Sequence, residues 1–289
     1  MGNLTDIGTI KKLLERHGFR FSKALGQNFL INPSVCPRMA AACGADKETG
    51  VLEIGPGIGV LTRELAHTAG RVASIELDER LLPVLSETLA EEDNVQIIQG
   101  DVMKLDLAAL IREQFPSMRV VVCANLPYYI TSPILMLLLE SRLPVEAVTV
   151  LVQKEAAQRL CAAPGTRECG AVTLAVQYYA QAEMLFQVSR GSFMPAPNVD
   201  SAVMRLTIRK EPPCRVQDER LLFRLIRAAF GQRRKTLSNS LTGAGIGKEE
   251  ALAALNMAGI SPQARAEELT LDQFAALADA VSNAKVRRD

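Results

Sequence analysis

Histidine is almost missing from this chain. Only His17 and His67 occur among its 289 residues, and both sit in helix-like, charged surroundings that read as protein surface. A histidine general base, and with it a hydrolytic triad, loses ground. The six cysteines, at 36, 43, 123, 161, 169 and 214, form no Cys-x-x-Cys pair and have no clustered histidines. That pattern argues against zinc, and no metal is expected. The best apolar run, Pro133 to Leu139, is about a third of what a bilayer span requires, so no membrane association is expected. Residues Met1 to Leu14 lack the basic-then-apolar form of a secretory signal. A cytoplasmic protein with reduced thiols is the expectation. Charge of one sign is lacking too: 33 Lys and Arg against 32 Asp and Glu leave +1. Whatever this chain catalyses must rest on positioning or on a cofactor.

What is present is ordinary for a soluble globular chain, with 48% hydrophobic and 22% charged residues. Its length suits one large domain or two. Short Val- and Ile-rich runs at 51–54, 71–76, 95–98, 119–124 and 147–153 alternate with helical segments near 60–68, 79–91, 106–114 and 132–140. Such alternation predicts an α/β, Rossmann-like, mostly parallel sheet with helices on both faces. Residues 154–181 read as helical. Strand-like runs at 183–190 and 201–208 flank the loop Phe193-Met194-Pro195-Ala196-Pro197 and suggest an antiparallel hairpin closing the sheet. Beyond the linker signal Lys210-Glu211-Pro212-Pro213, helices are expected near 217–230, 233–241, 248–257 and 271–283. The natural cut leaves an α/β domain at 1–209 and a smaller all-helical domain at 210–289.

Val51-Leu52-Glu53-Ile54-Gly55-Pro56-Gly57-Ile58-Gly59 reads as a buried strand running into a glycine-rich turn and a helix. Glycines there let the chain turn sharply and a ligand approach closely. The third glycine comes one residue earlier than in the dinucleotide fingerprint, and an acid precedes the first. This spacing fits S-adenosylmethionine better than NAD, although a plain tight turn has the same look. Glu76, 21 residues after Gly55 at the end of the next strand, is placed to accept both ribose hydroxyls. Asp101, at the end of the third strand, is placed to bind the adenine amino group, though Gly-Asp after a strand is often only a cap. The three sit at successive strand ends, where open α/β sheets bind ligands.

Asn125-Leu126-Pro127-Tyr128 follows the fourth strand. Adenine N6 is a poor nucleophile because its lone pair is delocalised into the ring. The Asn125 side-chain oxygen and the Leu126 carbonyl could each accept one N6 hydrogen, favouring a tetrahedral nitrogen with its lone pair aimed at a methyl donor. Pro127 stiffens the loop and offers no competing N–H. Tyr128 offers a flat face for a base taken out of its stack. Phe193 is a candidate for the opposite wall. No strong base is needed, in keeping with the missing histidines.

Four segments, Gly26-Gln27-Asn28-Phe29-Leu30, Glu53-Ile54-Gly55-Pro56-Gly57, Asn125-Leu126-Pro127-Tyr128-Tyr129-Ile130 and Phe193 to Ser201, resemble the ribosomal RNA adenine dimethyltransferases. The segment Arg227-Ala228-Ala229-Phe230-Gly231-Gln232-Arg233-Arg234-Lys235-Thr236-Leu237 is similar to the C-terminal motif of the bacterial small-subunit members. The resemblance implies two methyls on each of two adjacent adenosines in the last hairpin loop of 16S rRNA, within the small ribosomal subunit. It also implies cofactor contacts at Asn28, Leu30, Gly55, Gly57, Glu76, Asp101 and Asn125, and a monomer. The rivals are a large-subunit enzyme of the macrolide-resistance type and a non-catalytic assembly factor. Cys169 departs from the family, which has an aromatic residue in that loop. Residues 201–240 hold ten Lys and Arg against three acids, a concentration that fits phosphate contacts. Arg227, Arg233, Arg234 and Lys235 are the RNA-binding candidates, and Lys11, Lys12, Arg16, Arg20 and Lys23 form a second basic patch.

Overall fold

The computed structural model describes residues 2–22, 26–232 and 234–286. In chain order its elements are α1 (Ile7–Arg16), β1 (Phe29–Leu30), α2 (Val35–Ala42), β2 (Thr49–Ile54), α3 (Val60–Thr68), β3 (Arg71–Glu76), α4 (Leu82–Thr88), β4 (Val95–Gln99), α5 (Leu107–Gln114), β5 (Arg119–Asn125), α6 (Thr131–Glu140) and β6 (Ala147–Gln153). There follow α7 (Lys154–Leu160), α8 (Ala171–Tyr179), β7 (Ala180–Val188), β8 (Phe193–Met194), β9 (Ser201–Ile208), α9 (Glu219–Gly231), α10 (Leu237–Ser240), α11 (Lys248–Met257) and α12 (Leu271–Val286). Two compact units result: residues 1–157 with 182–208, and residues 158–181 with 209–289.

The first unit is built on a seven-stranded sheet in the order β4-β3-β2-β5-β6-β9-β7. Strands β2 to β6 pair in parallel, whereas β9 runs antiparallel to β6. Every residue of β2 is buried, as continuous apolar strands must be when helices cover both faces. The parallel register brings the carboxyl ends of β4, β3, β2 and β5 to one edge. Three backbone bonds pin the loops that leave it: Gly55 N–H to the Ile75 carbonyl at 2.9 Å, Gly100 N–H to Glu76 at 2.8 Å, and Leu126 N–H to Leu151 at 3.2 Å.

No sequence signal marks a second, two-stranded ribbon in which β1 pairs antiparallel with β8, Phe29 opposite Met194 and Leu30 opposite Phe193. Because side chains alternate along a strand, the ribbon feeds two cores. Phe29 and Met194 pack with Ile10, Leu14, Phe19 and Leu85. Leu30 and Phe193 pack with Val35, Met39, Leu65 and Val203.

The second unit corrects the expected single cut. Its later boundary falls between Ile208 and Arg209, but residues 158–181 belong with the C-terminal helices. The reason is local. Tyr178 and Tyr179 pack on Phe223 of α9, with ring centroids 5.2 and 5.5 Å away, and their hydroxyls donate to Glu219 at 3.1 and 2.8 Å. Helix α9 buries Leu221, Leu222, Leu225, Ile226 and Ala229 and leaves Arg220, Arg224 and Arg227 exposed on one stripe, the separation an amphipathic helix requires.

Candidate active site

A cavity opens at the carboxyl edge of the first unit's sheet. Asn28, Leu30, Gly55, Gly57, Glu76, Asp101, Asn125, Leu126, Pro127 and Tyr128 all line it. Residues from five separate segments, far apart in sequence, thus meet around one space. The glycine turn is a cradle that larger residues would fill. Gly57 has φ +60°, and a Cβ there would sit 3.3 Å from the Phe29 ring. Gly59, with φ +88°, caps α3, and a Cβ would meet Thr88 at 3.0 Å.

Glu76 is 6% exposed. Burial pushes its carboxyl up to about 7, and the Asp78 N–H donates to Oε1 at 2.7 Å. A carboxylate in this state has lone pairs ready for hydroxyl donors, and such donors favour its ionised form. Asp101 accepts from the Met103 N–H at 3.0 Å and lies 3.5 Å from Lys104 Nζ. It therefore forms a local turn and still faces the cavity with acceptor capacity to spare. Glu53, the acid before the glycines, does not reach the cavity. Its Oε2 accepts from Thr62 at 2.7 Å and Ser74 at 2.6 Å, tying β2 to α3 and β3. Burial raises its carboxyl to about 7 as well.

Asn125 Nδ2 donates to the Asn28 carbonyl at 3.5 Å, and Asn28 Nδ2 donates to Gly26 at 3.0 Å. The chain holds Asn125 by its nitrogen, leaving Oδ1 as the acceptor. Among the described residues no donor reaches the Leu126 carbonyl. The Pro127 carbonyl accepts from Ile130 N–H and Thr131 Oγ1, each at 3.2 Å. Tyr128 hydrogen-bonds Ser201 through its hydroxyl at 2.6 Å, which fixes its ring at the cavity wall.

Phe193 corrects the sequence reading. Its ring is 3% exposed and packs in the core with Leu30 and Val203; it is not on the cavity lining. Pairing of β8 with β1 turns it inward, where it supports the core on which Tyr128 packs. The sequence reading also missed Gln27, Asp78 and Arg80. Gln27 Nε2 donates to Asp78 at 2.7 Å, and its Oε1 accepts from Ser22 N–H at 2.9 Å. Arg80 grips Asp78 through Nε at 2.8 Å and a terminal nitrogen at 2.6 Å. The only signal was Gln27's place in the Gly-Gln-Asn motif.

In the second unit, Arg227, Arg234 and Lys235 are exposed, and Arg233 lies outside the described residues. Of the segment's three acids, Asp218 caps α9 through Leu221 N–H at 3.0 Å and Glu219 is held by two tyrosines, while Glu211 is exposed. Hydrogen bonds from neutral donors do not cancel a carboxylate's charge, so the basic excess is no larger than the count over residues 201–240 gives. Arg205 drops out of that count. It is half-buried in the first unit's sheet and donates to the Ala42 carbonyl at 3.3 Å. Cys169 is fully buried. His17 and His67 face Glu87 at 2.7 Å and Glu92 at 3.6 Å, away from the cavity. Among the described residues no cluster of three or more His, Cys, Asp or Glu could hold a metal, and no helix is long and apolar enough to cross a membrane.

Sheet order, glycine cradle and acidic strand ends define a Rossmann-like nucleoside-cofactor methyltransferase. The chain belongs to the ribosomal RNA adenine dimethylase family, whose model matches residues 18–283. A Geobacillus thermodenitrificans protein named ribosomal RNA small subunit methyltransferase A is 50% identical over 280 residues, 95% of each chain. The structure of a dimethyladenosine transferase from Plasmodium falciparum aligns with a TM-score of 0.72 at 25% identity, covering 86% of this chain and 95% of that one. The 23S rRNA methyltransferase ErmE aligns with a TM-score of 0.66 at 29% identity, covering 88% and 100%. Membership makes this chain an S-adenosylmethionine-dependent enzyme that dimethylates adenine in ribosomal RNA.

Proposed function

We propose that the chain transfers methyl groups to N6 of two adjacent adenosines in the 3′-terminal hairpin loop of 16S rRNA, on the small ribosomal subunit, and that it acts as a cytoplasmic monomer. The observation that carries this reading is Asn125, held by its nitrogen so that Oδ1 is left as acceptor, on the same cavity as Glu76 and the glycine cradle. S-adenosylmethionine supplies an electrophilic methyl. Glu76 would accept from its ribose hydroxyls and Asp101 from its adenine amino group, and Leu77 and Val102, which also line the cavity, would offer that ring apolar surface. Asn28 and Leu30 close the cradle opposite Gly55 and Gly57.

The target adenine leaves its stack and lies against Tyr128. Asn125 Oδ1 and the Leu126 carbonyl accept its two N6 hydrogens and draw the nitrogen toward tetrahedral geometry. Preorganised acceptors of this kind need no rearrangement as charge develops. N6 sheds its proton to water, since both histidines are occupied elsewhere. The first unit is the catalytic part. The second, through Arg227, Arg234 and Lys235, holds the RNA backbone. Support for the small subunit comes from the 50% identity to a protein of that name. Radiolabelled S-adenosylmethionine with unmethylated small subunits, followed by mapping of the modified nucleotides, tests the assignment. Dimethyladenosine at two adjacent positions of the hairpin is expected; label only on large-subunit RNA overturns it.

A further inference from the structure

A second concavity lies in the first unit against α1. Apart from Lys11 and Arg20, which belong to the second basic patch, its lining residues have no part in the roles assigned above. Its floor is apolar, with Phe19, Phe21, Met194 and Pro195, and Lys11 and Arg20 stand on its walls with one acid, Glu15. Neither Lys11 nor Arg20 has an ion-pair partner among the described residues. Arg16 and Arg80, by contrast, are paired with Glu87 and Asp78. Phe21 is 39% exposed, unusual for an aromatic ring so close to a core. It is held in place from behind: the Phe19 and Phe29 centroids lie 6.0 and 5.1 Å from its own.

Phe29 gives the groove its meaning. One ring serves two spaces, because Phe29 lines the cofactor cavity beside Gly57 and also backs Phe21. The β1–β8 ribbon joins them again, Phe29 opposite Met194. A ligand in the groove is thus one side chain away from the reaction edge. Extracting a target base leaves its neighbour in the strand without a stacking partner, and a flat aromatic face beside free cations suits such a nucleotide. An anionic, single-stranded occupant matches both the charge and the apolar floor; a hydrophobic peptide matches only the floor.

We propose that this groove is a second RNA subsite, taking the unpaired nucleotide next to the target adenosine, with its base on Phe21 and its phosphate at Lys11 and Arg20. The proposal rests on the reading that the substrate is an rRNA loop. It is tested with the full-length protein and unmethylated small subunits, by equilibrium binding over a range of salt and, separately, by calorimetry with S-adenosylmethionine.

Phe21→Ala should weaken subunit binding about ten- to hundred-fold, as removal of a base–aromatic stack does. Phe21→Trp should restore it. Replacing Lys11 and Arg20 together by Gln should lower the log–log salt slope by about 0.7, the contribution of the one single-strand phosphate they neutralise. Cofactor affinity should stay within about two-fold throughout, on the premise that only RNA touches these groups. Unaltered subunit affinity and slope in all variants would overturn the proposal. So would a parallel loss of cofactor affinity in Phe21→Ala that Phe21→Trp does not restore, which would make the groove a prop for the cofactor loop. Failure of the parent reading has a separate signature: the unsubstituted protein would leave the subunits unmethylated.

Discussion

The reaction edge of the first unit and the basic stripe of α9 solve opposite problems. At the reaction edge charge is scarce: Glu76 is 6% exposed, and apart from Asp101 every other assigned group is an amide, a carbonyl, a glycine, an apolar side chain or the Tyr128 phenol. Its groups are fixed by named bonds, such as Asn125 to Asn28 and Tyr128 to Ser201. On α9, Arg220, Arg224 and Arg227 stand on the solvent side, while the nearby acids are occupied by a cap and two tyrosines. One region works by position and the other by field. Position is nearly indifferent to salt, whereas field is screened over about a Debye length. Substitutions at the two should therefore fail in different ways.

The largest effect is expected where the edge is propped from behind. Phe193→Ala should destabilise the fold by about 3–5 kcal/mol, because it empties a buried aromatic site. Thermal or denaturant unfolding measures this. A stable variant with altered methylation products would return Phe193 to the cavity wall.

Asn125→Ala comes next. It should slow methyl transfer about a hundred-fold or more, the cost of one preorganised partner of a transition state being roughly 3 kcal/mol. Subunit affinity should hardly change. Equal losses in turnover and binding would make Asn125 a docking residue and erase the contrast.

Glu76→Ala should weaken cofactor binding about ten- to hundred-fold, hydrogen bonds to a charged group being worth roughly 1.5–3 kcal/mol. The pH dependence sharpens this. The Glu76 carboxyl is raised to about 7 and its ionised form is the one that hydroxyl donors favour. Cofactor affinity should thus fall as pH drops below 7, by about ten-fold per unit at the limit, and Glu76→Gln should flatten the profile. Stability has the opposite sign. Glu53 and Glu76 both have folded values above the usual 4.5, so the folded chain binds more protons and loses stability as pH rises from 4.5 through 7. Denaturant melts across that window, compared with Glu53→Gln, should show the slope reduced.

Neutralising Arg227, Arg234 and Lys235 together should cut the salt slope of subunit binding by about 2 and weaken it on the order of tens-fold at physiological salt. Cofactor affinity should not move. A shared loss would mean that these residues hold the helical unit together.

The contrast also explains what the sequence could show. The cofactor cradle was legible because glycines with positive φ leave a local trace, and because strands of one parallel sheet end on one side. Asn125 and Glu76 could be placed by counting from strand ends alone. Phe193 could not: its burial depends on a two-residue pairing with Leu30, far away in the chain and too short for any periodicity to reveal. Gln27 meets Asp78 across 51 residues, again with no local trace. Residues 158–181 read largely as helical, yet periodicity does not say which unit a helix joins; Tyr178 and Tyr179 on Phe223 decide that. Arg205 entered the basic count because charge is visible in a sequence and burial is not.

The division of labour is tested most directly by single-turnover methyl transfer at saturating subunits, measured across a range of salt alongside equilibrium binding of the same subunits. A rate constant that stays level while the dissociation constant climbs steeply is the predicted result. A rate constant that falls with the same salt slope as binding would show that the basic face takes part in the transfer itself, and would contradict the account.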